Sequence, residues 1–137
     1  MVRYPTYEEM LNARIVLSKF IKKEMPFNTA RKIQLFLDET EDWFINFKYV
    51  EAELIHEHAE TDEETHKVVT NPDFSIKFKS DEDKKQFDEK LKEILKSNIK
   101  YRFDEDNYLV DDDLREITCS PEELKHINWL LIQIGGD

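Results

Sequence analysis

The chain has 137 residues, of which 39% are hydrophobic and 12% aromatic, too much large apolar surface for a disordered protein. Its formal net charge of −11 argues against general binding to nucleic acid or to anionic membranes, because both need a basic surface. A single cysteine, Cys119, excludes an internal disulfide framework, and two glycines are too few for a fold with many turns.

The N-terminal third of the chain predicts a helical hairpin. Thr6 and Glu9 have the spacing of a capping box, and the apolar residues that follow recur at helical intervals. Pro26 ends this helix, and Asn28 can cap a second, longer helix over about residues 29–59. Because the break between the two helices is short, we expect them to pack antiparallel.

The long second helix has an apolar stripe with a repeat close to 3.5 residues. Its members are Ile33, Leu37, Thr40, Phe44, Phe47, Val50 and Leu54. Leu35, Trp43 and Tyr49 lie beside this stripe, so we expect a second apolar edge that the rest of the domain covers.

Two segments with alternating side chains predict a small sheet. Apolar and charged residues alternate in FSIKFK, residues 74–79, and in IKYRF, residues 99–103. A helix lies between the two segments, with Ser80 as its cap and Asp83 at its third position.

The C-terminal part adds a possible third strand over residues 114–118 and a last helix. That helix begins after Ser120, with Pro121 first and Glu123 third. The prediction is one α+β domain over residues 1–137. It has an N-terminal antiparallel helical hairpin with a long second helix, plus a small β-sheet with two further helices.

Charge is distributed unevenly along the chain. Residues 14–32 carry six bases against one acid, whereas residues 37–66 carry eleven acids against Lys48. Residues 75–102 are basic again, and residues 104–123 carry nine acids against one base. In the predicted hairpin the turn end is therefore basic and the open end acidic.

The motifs that could carry chemistry are weak. Glu-x-x-His occurs three times, but Glu53 and His56 lie away from the apolar stripe, and a di-iron site needs carboxylates from two further helices. The acidic segment 104–114 lacks the glycine and the last glutamate of a calcium loop. Glutamates surround Cys119, and no histidine is placed as its base. We therefore expect no enzymatic activity, no metal and no cofactor.

Two sets of charged residues are candidates for binding a protein partner. Four acids lie off the apolar stripe of the long helix, with few lysines to offset them, which makes recognition of a basic surface or imitation of DNA phosphates an option. These acids are Asp38, Glu41, Asp42 and Glu53. Four bases would share one exposed side if the two strands are neighbours, namely Lys77, Lys79, Lys100 and Arg102. Both sets also have an ordinary explanation. The acids can be the solvated face of a helix, and the bases can protect a sheet edge from pairing with other strands.

Four stretches resemble a family of small uncharacterised proteins from bacteriophages of low-GC Gram-positive bacteria. They read FIKKEMPFNTARKIQLFLDETEDWF, FDEKLKEIL, IKYRF and DDDLREITCSPEELKHINWLL. In that family a lysine-rich helix leads into a long acidic helix, and the chain ends in a helix with a PEEL-type start. The resemblance implies a phage origin and supplies no activity and no site residues.

Together these features predict a phage-encoded, acidic, non-enzymatic protein that binds a protein partner and inhibits a host process or defence. The alternative is a structural or assembly protein of the virion that acts through self-association. No signal peptide and no apolar run of about 18 residues is present in the sequence, so we expect the host cytoplasm or the virion as its location. We expect no direct contact with nucleic acid or membrane.

Overall fold

The computed structural model describes residues 2–102, 109–115 and 117–131. Within them the chain forms five α-helices and a two-stranded antiparallel sheet, so the predicted α+β class is confirmed. The chain divides into two compact units. Unit 1 comprises the described residues of Met1–Asp42 and Ser97–Asp137, and unit 2 comprises Trp43–Lys96. The expectation of a single domain stays a prediction.

The first three helices follow one another closely, whereas residues 59–80 separate the third helix from the fourth. The helices are α1 (Tyr7–Phe20), α2 (Phe27–Glu39), α3 (Glu41–His58), α4 (Asp81–Lys96) and α5 (Pro121–Ile127). The strands are β1 (Val2–Arg3) and β2 (Tyr101–Arg102), and two 3-10 turns cover Asp111–Leu114 and Asn128–Leu130.

The predicted starts of the first and last helices are confirmed. The Glu9 N–H donates to Thr6 Oγ1 at 3.1 Å, and the Glu123 N–H donates to Ser120 Oγ at 3.1 Å. Each glutamate carboxylate accepts from its cap residue in return, which completes two capping boxes. The expected cap of the second helix is wrong, because Asn28 lies inside α2.

The predicted long second helix is interrupted at Thr40, where φ is −96° and ψ is 0°. Arg14 of α1 donates from Nη1 to the Leu37 carbonyl at 2.7 Å. In a continuous helix, the Glu41 N–H would bond to that carbonyl. The Thr40 hydroxyl also donates to the Phe36 carbonyl at 2.8 Å, a bond that bends helices. The prediction of one helix over residues 29–59 is therefore wrong.

The core of unit 1 is built around α1, which packs against both α2 and α5. The predicted contact between the first two helices is thus confirmed. Beside α1, the rings of Phe36, Tyr101 and Trp129 meet edge to face, with centroids 5.5, 6.1 and 6.5 Å apart. The side chains of α1 that are fully buried are Met10, Ala13, Leu17 and Phe20.

The sheet differs from the predicted one. β2 keeps part of the predicted strand at 99–103, but it pairs with β1, so that Val2 lies opposite Arg102. Residues 74–79 form isolated bridges, one of them between Ile76 and Thr70. Pairing with β1 carries no local signal in the sequence, because the partners are about one hundred residues apart.

The possible third strand at 114–118 is also wrong. Leu114 ends a 3-10 turn, and the described residues that follow it are irregular. The Val110 N–H donates to Asp113 Oδ2 at 2.8 Å, a local bond that holds the chain in a turn.

Three extended segments follow α3 in unit 2 and bond to one another in a closed ring. The Glu60 N–H donates to the Lys77 carbonyl at 2.8 Å, and the Lys77 N–H donates to the Val69 carbonyl at 3.0 Å. The Val69 N–H completes the ring by donating to the Glu60 carbonyl at 2.8 Å. The ring satisfies these backbone groups without a regular sheet.

Candidate functional site

The basic segment 14–32 of unit 1 is bonded to the acidic C-terminal segment. Lys19 Nζ lies 3.2 Å from Glu123 Oε2, and Lys32 Nζ lies 2.8 Å from Asp113 Oδ2. This part of the charge separation in the sequence therefore stabilises the fold of unit 1.

Three of the candidate acids, Asp38, Glu41 and Asp42, belong to unit 1. Glu41 Oε2 accepts from Arg14 Nη2 at 2.7 Å, so its charge is used inside the unit. Asp38 is exposed and accepts from Gln34 Nε2 at 2.9 Å. Asp42 is exposed and has no ion-pair partner among the residues that the structure describes.

The four candidate bases do not lie on neighbouring strands, because the strand partner of β2 is β1. Lys77 and Lys79 belong to unit 2, whereas Lys100 and Arg102 belong to unit 1. Lys77 Nζ lies 3.2 Å from Glu60 Oε2. The strand arrangement predicted to bring the four together is wrong, and their role in binding a partner stays a prediction.

One face of α3 in unit 2 presents apolar side chains to solvent. Tyr49 is 70% exposed, and Ile45, Ala52, Glu53 and His56 are exposed as well. Positions 45, 49, 52 and 56 are spaced by four, three and four residues, so they lie within about 60° around the helix axis. We call these four residues, together with the adjacent Glu53, the Tyr49 face. The expectation that the rest of the domain covers Tyr49 is wrong.

The Tyr49 face keeps its negative charge because the one lysine of α3 points away from it. Lys48 Nζ lies 3.6 Å from Glu51 Oε1 and 5.7 Å from the centroid of the Phe44 ring. Within the described residues Glu53 has no ion-pair partner. The face therefore combines an exposed aromatic ring with an unneutralised carboxylate.

A buried histidine forms a network between α3 and α4. His58 is 3% exposed, and its Nδ1 and Nε2 atoms lie 3.0 Å from Asp83 Oδ1 and 3.3 Å from Lys90 Nζ. Lys90 Nζ also lies 3.1 Å from Glu57 Oε1, and the Ser80 hydroxyl donates to Asp83 Oδ2 at 2.8 Å. Since an ionised carboxylate only accepts and an ammonium only donates, the neutral imidazole in this network carries its proton on Nδ1.

The charged groups of the network hold α3 against α4 and do not activate a nucleophile. The hydrogen bonds from His58 and then from Ser80 hold the pKa of Asp83 below its usual value. In a hydrolase the nucleophile bonds to the free imidazole nitrogen, but Lys90 is bonded there and Ser80 bonds to Asp83. Sequence reasoning missed this network, although His58 lies four residues after buried Leu54 and hence on the buried side of α3.

A cleft of about 490 Å³ lies in unit 2 beside α4. Its apolar wall contains Ile76, Phe78 and Phe87, and the two phenyl rings have centroids 5.2 Å apart. Alternation along residues 74–79 predicts that Phe74 shares a face with Ile76. This is wrong, because Phe74 is 89% exposed.

Comparison with protein-family models, with curated proteins and with solved structures finds no match to this chain. Among the described residues, no three His, Cys, Asp or Glu side chains are grouped so that they could hold a metal ion. The described helices include none with both the length and the apolar character needed to cross a bilayer.

Proposed function

We propose that the protein works by binding a basic surface of another protein through the Tyr49 face. The observation that carries this proposal is the 70% exposure of Tyr49 on a regular helix, next to Ile45 and to Glu53, which has no ion-pair partner in the described part of the chain. Tyrosine is one of the residues that most often anchor protein interfaces, because a rigid ring buries a large area at low entropic cost.

The charge of the chain determines the class of partner. With a net charge of −11, two copies that met through acidic faces would repel each other, whereas a basic protein would be attracted and steered towards the face. Glu53 contributes to this attraction, and Ile45 and Tyr49 supply the apolar contact that makes the complex last.

The biological setting that we propose follows from the resemblance to phage proteins. A phage-encoded, non-enzymatic protein of this kind would inhibit a host process or defence by covering a basic surface on a host protein. Host proteins that contact DNA phosphates have such surfaces, so imitation of DNA by the acidic side chains is one form of the same proposal.

Photo-crosslinking from defined positions tests this proposal. A photoreactive phenylalanine replaces Tyr49 in one variant and Tyr4 in the control, since Tyr4 is 62% exposed but lies in unit 1. In a lysate of a low-GC Gram-positive host, we expect the probe at position 49 to attach to a basic protein that the probe at position 4 does not reach. If both probes label the same proteins, the Tyr49 face is not the binding surface.

Affinity and rate measurements with the purified partner then separate the contribution of the Tyr49 ring from that of the Glu53 charge. We expect Tyr49→Ala to weaken the complex by roughly 10- to 100-fold, mainly through faster dissociation. Glu53→Lys should mainly slow association and reduce its dependence on salt. Tyr4→Ala is the matched control and should leave the affinity unchanged.

A second candidate function, assembly through self-association, is favoured by a different observation. Phe74 is 89% exposed on a loop of unit 2 that lies next to the apolar cleft. This function does not compete with the first, because it uses other residues.

A further inference from the structure

Phe74 occupies a backbone position that usually belongs to glycine. Its φ is 68°, in the left-handed region that is unfavourable for a bulky residue. The Phe74 N–H donates to the Asn71 carbonyl at 2.9 Å, and the Asn71 N–H donates to the Ser75 carbonyl at 2.8 Å. Short hairpin loops with such a left-handed residue normally have glycine there.

Side-chain hydrogen bonds hold the loop around Phe74 in place. Asp73 Oδ1 accepts from the Ser75 N–H at 3.1 Å and from the Ser75 hydroxyl at 2.6 Å. Asn71 Nδ2 donates to Ser75 Oγ at 3.0 Å and to the Ile76 carbonyl at 3.3 Å. The loop is therefore ordered in advance, and it presents the Phe74 ring to solvent.

The backbone conformation of Phe74 and the exposure of its ring are both energetically unfavourable in an isolated chain. A strained position that the surrounding bonds enforce is often found where a side chain has a function. A rigid, exposed aromatic side chain is also the form that anchors an interface, because little entropy is lost when it binds. These observations indicate that the Phe74 ring has an apolar receptor.

The cleft of about 490 Å³ beside the same loop has the properties of that receptor. Its wall contains Ile76, Phe78 and Phe87, and its volume exceeds that of a phenyl ring. Two bases and two acids also line it, so its net charge is zero. These four residues are Lys77, Lys84, Asp81 and Asp88. Because the chain as a whole is strongly acidic, a neutral surface is where two copies repel each other least.

We propose that two copies of this chain associate by reciprocal insertion, with Phe74 of each copy entering the cleft of the other. Ser75 and Ile76 follow Phe74 directly and line the cleft, so the ring and its receptor are adjacent on one surface. This adjacency is what a two-fold symmetric contact requires, since both copies then use the same patch.

The dimer is expected to be weak. A buried phenyl ring removes roughly 150–250 Å² from water, so two rings bury less than the roughly 1,200 Å² of a stable interface. Association should therefore depend on concentration in the range of about 10 μM to 1 mM. The inference rests on the second candidate function, self-association, and names the side chain that inserts and the cleft that receives it. It uses the loop and α4 and leaves the Tyr49 face free.

Analytical ultracentrifugation of the full chain over this concentration range tests the proposal. We expect wild type to form a dimer, and Phe74→Ala to raise its dissociation constant at least tenfold. Phe27→Ala is the matched control, because Phe27 is 79% exposed but lies in unit 1. A wild-type chain that stays monomeric overturns the proposal, and so does an equal effect of the two substitutions.

Mixing two variants tests whether the insertion is reciprocal. Phe74→Ala lacks the ring but keeps the cleft, whereas Asp88→Trp on exposed Asp88 keeps the ring and fills the cleft. Neither variant should dimerise alone, but the mixture should form a heterodimer with one insertion. Circular dichroism checks that both variants are folded. If the mixture associates no better than each variant alone, reciprocal insertion is excluded. If Asp88→Trp does not fold, the comparison of Phe74→Ala with Phe27→Ala still decides whether Phe74 mediates the dimer.

Discussion

The Nδ1 atom of His58, at the end of α3, lies 3.0 Å from Oδ1 of Asp83 in the first turn of α4. The other carboxylate oxygen of Asp83 accepts from the Ser80 hydroxyl at 2.8 Å, and the Asp83 N–H donates to Ser80 Oγ at 3.1 Å. One aspartate thus holds the cap residue Ser80 at the start of α4 and accepts from the buried ring of α3. A buried imidazole without this acceptor would leave a donor unpaired, which is costly.

The link between His58 and Asp83 predicts that unit 2 loses stability in acid. The hydrogen bonds from His58 and Ser80 lower the pKa of Asp83 below its ordinary value of 3.8. A carboxyl whose pKa is lower in the folded state stabilises the fold above its unfolded pKa. That stabilisation is lost as the pH falls through the folded pKa. We expect the urea midpoint to fall as the pH is lowered below about 4, and to fall less in Asp83→Asn.

Urea unfolding at several pH values, followed by circular dichroism, measures this effect. Asp88→Asn is the control, because Asp88 is an exposed acid of the same helix. Its midpoint should follow that of wild type. If Asp83→Asn loses stability in acid as steeply as wild type does, the carboxylate of Asp83 is not the titrating group.

The contact of Arg14 with the junction of α2 and α3 predicts a large effect of its removal. Its guanidinium donates to the Leu37 carbonyl, to Thr40 Oγ1 and to Glu41 Oε2. We expect Arg14→Ala to lower the free energy of unfolding by about 2 kcal/mol, because charged hydrogen bonds are lost and buried acceptors are left unpaired. Arg14→Lys should recover only part of this, since an ammonium cannot replace the planar fork.

Arg115 supplies the matched control for Arg14. Its side chain is 79% exposed and lies 3.0 Å from Asp112 Oδ1. Exposed ion pairs contribute little, so Arg115→Ala should change the free energy of unfolding by at most about 0.5 kcal/mol. Equal effects of the two substitutions in urea denaturation would show that the Arg14 contacts do not hold the junction.

The parts of the fold that could be predicted from the sequence are those that local interactions determine. The capping boxes of Thr6 with Glu9 and of Ser120 with Glu123 each join residues three positions apart, and both are observed. The break at Thr40 could not be predicted, because it depends on Arg14, which is 26 residues away. Pairing of β1 with β2 is even more distant along the chain.

In the candidate site, too, the sequence predicts what local geometry determines and not what depends on distant contacts. Residues two apart on a helix point to nearly opposite sides, and exposed His56 and buried His58 agree with this. Periodicity placed Tyr49 beside an apolar stripe, but only the packing of the whole unit determines whether such an edge is covered. The predicted group of bases failed for a related reason, since it required a strand pairing that the sequence does not encode locally.

The ion pair between Lys32 and Asp113 predicts that the 3-10 turn contributes strongly to the stability of unit 1. Asp113 Oδ2 accepts from Lys32 Nζ and from the Val110 N–H, both at 2.8 Å, and Oδ1 accepts from the Thr29 hydroxyl at 3.2 Å. Asp113→Ala should cost about 2–3 kcal/mol, because it leaves a half-buried ammonium and two further donors unpaired.

Asp112, the neighbouring residue, provides the comparison for Asp113 in the same denaturation experiment. It is exposed, and its ion pair with Arg115 is exposed too, so Asp112→Ala should cost no more than about 0.5 kcal/mol. A small effect at position 113 would mean that water replaces the lost partners of Lys32 without penalty.

The left-handed conformations of Phe74 and His66 predict that glycine is more stable than alanine at both positions. Their φ values are 68° and 58°, and both side chains are exposed, so backbone strain is separated from lost packing. Alanine keeps the strain and glycine removes it. We therefore expect each glycine variant to exceed its alanine counterpart by about 1 kcal/mol in free energy of unfolding, measured in dilute solution where the chain is monomeric. An alanine variant equal to or more stable than the glycine one would show that the loop imposes no strain.

His66→Gly also separates strain from self-association: it should raise stability and leave the dimer intact, whereas Phe74→Gly should raise stability and abolish the dimer.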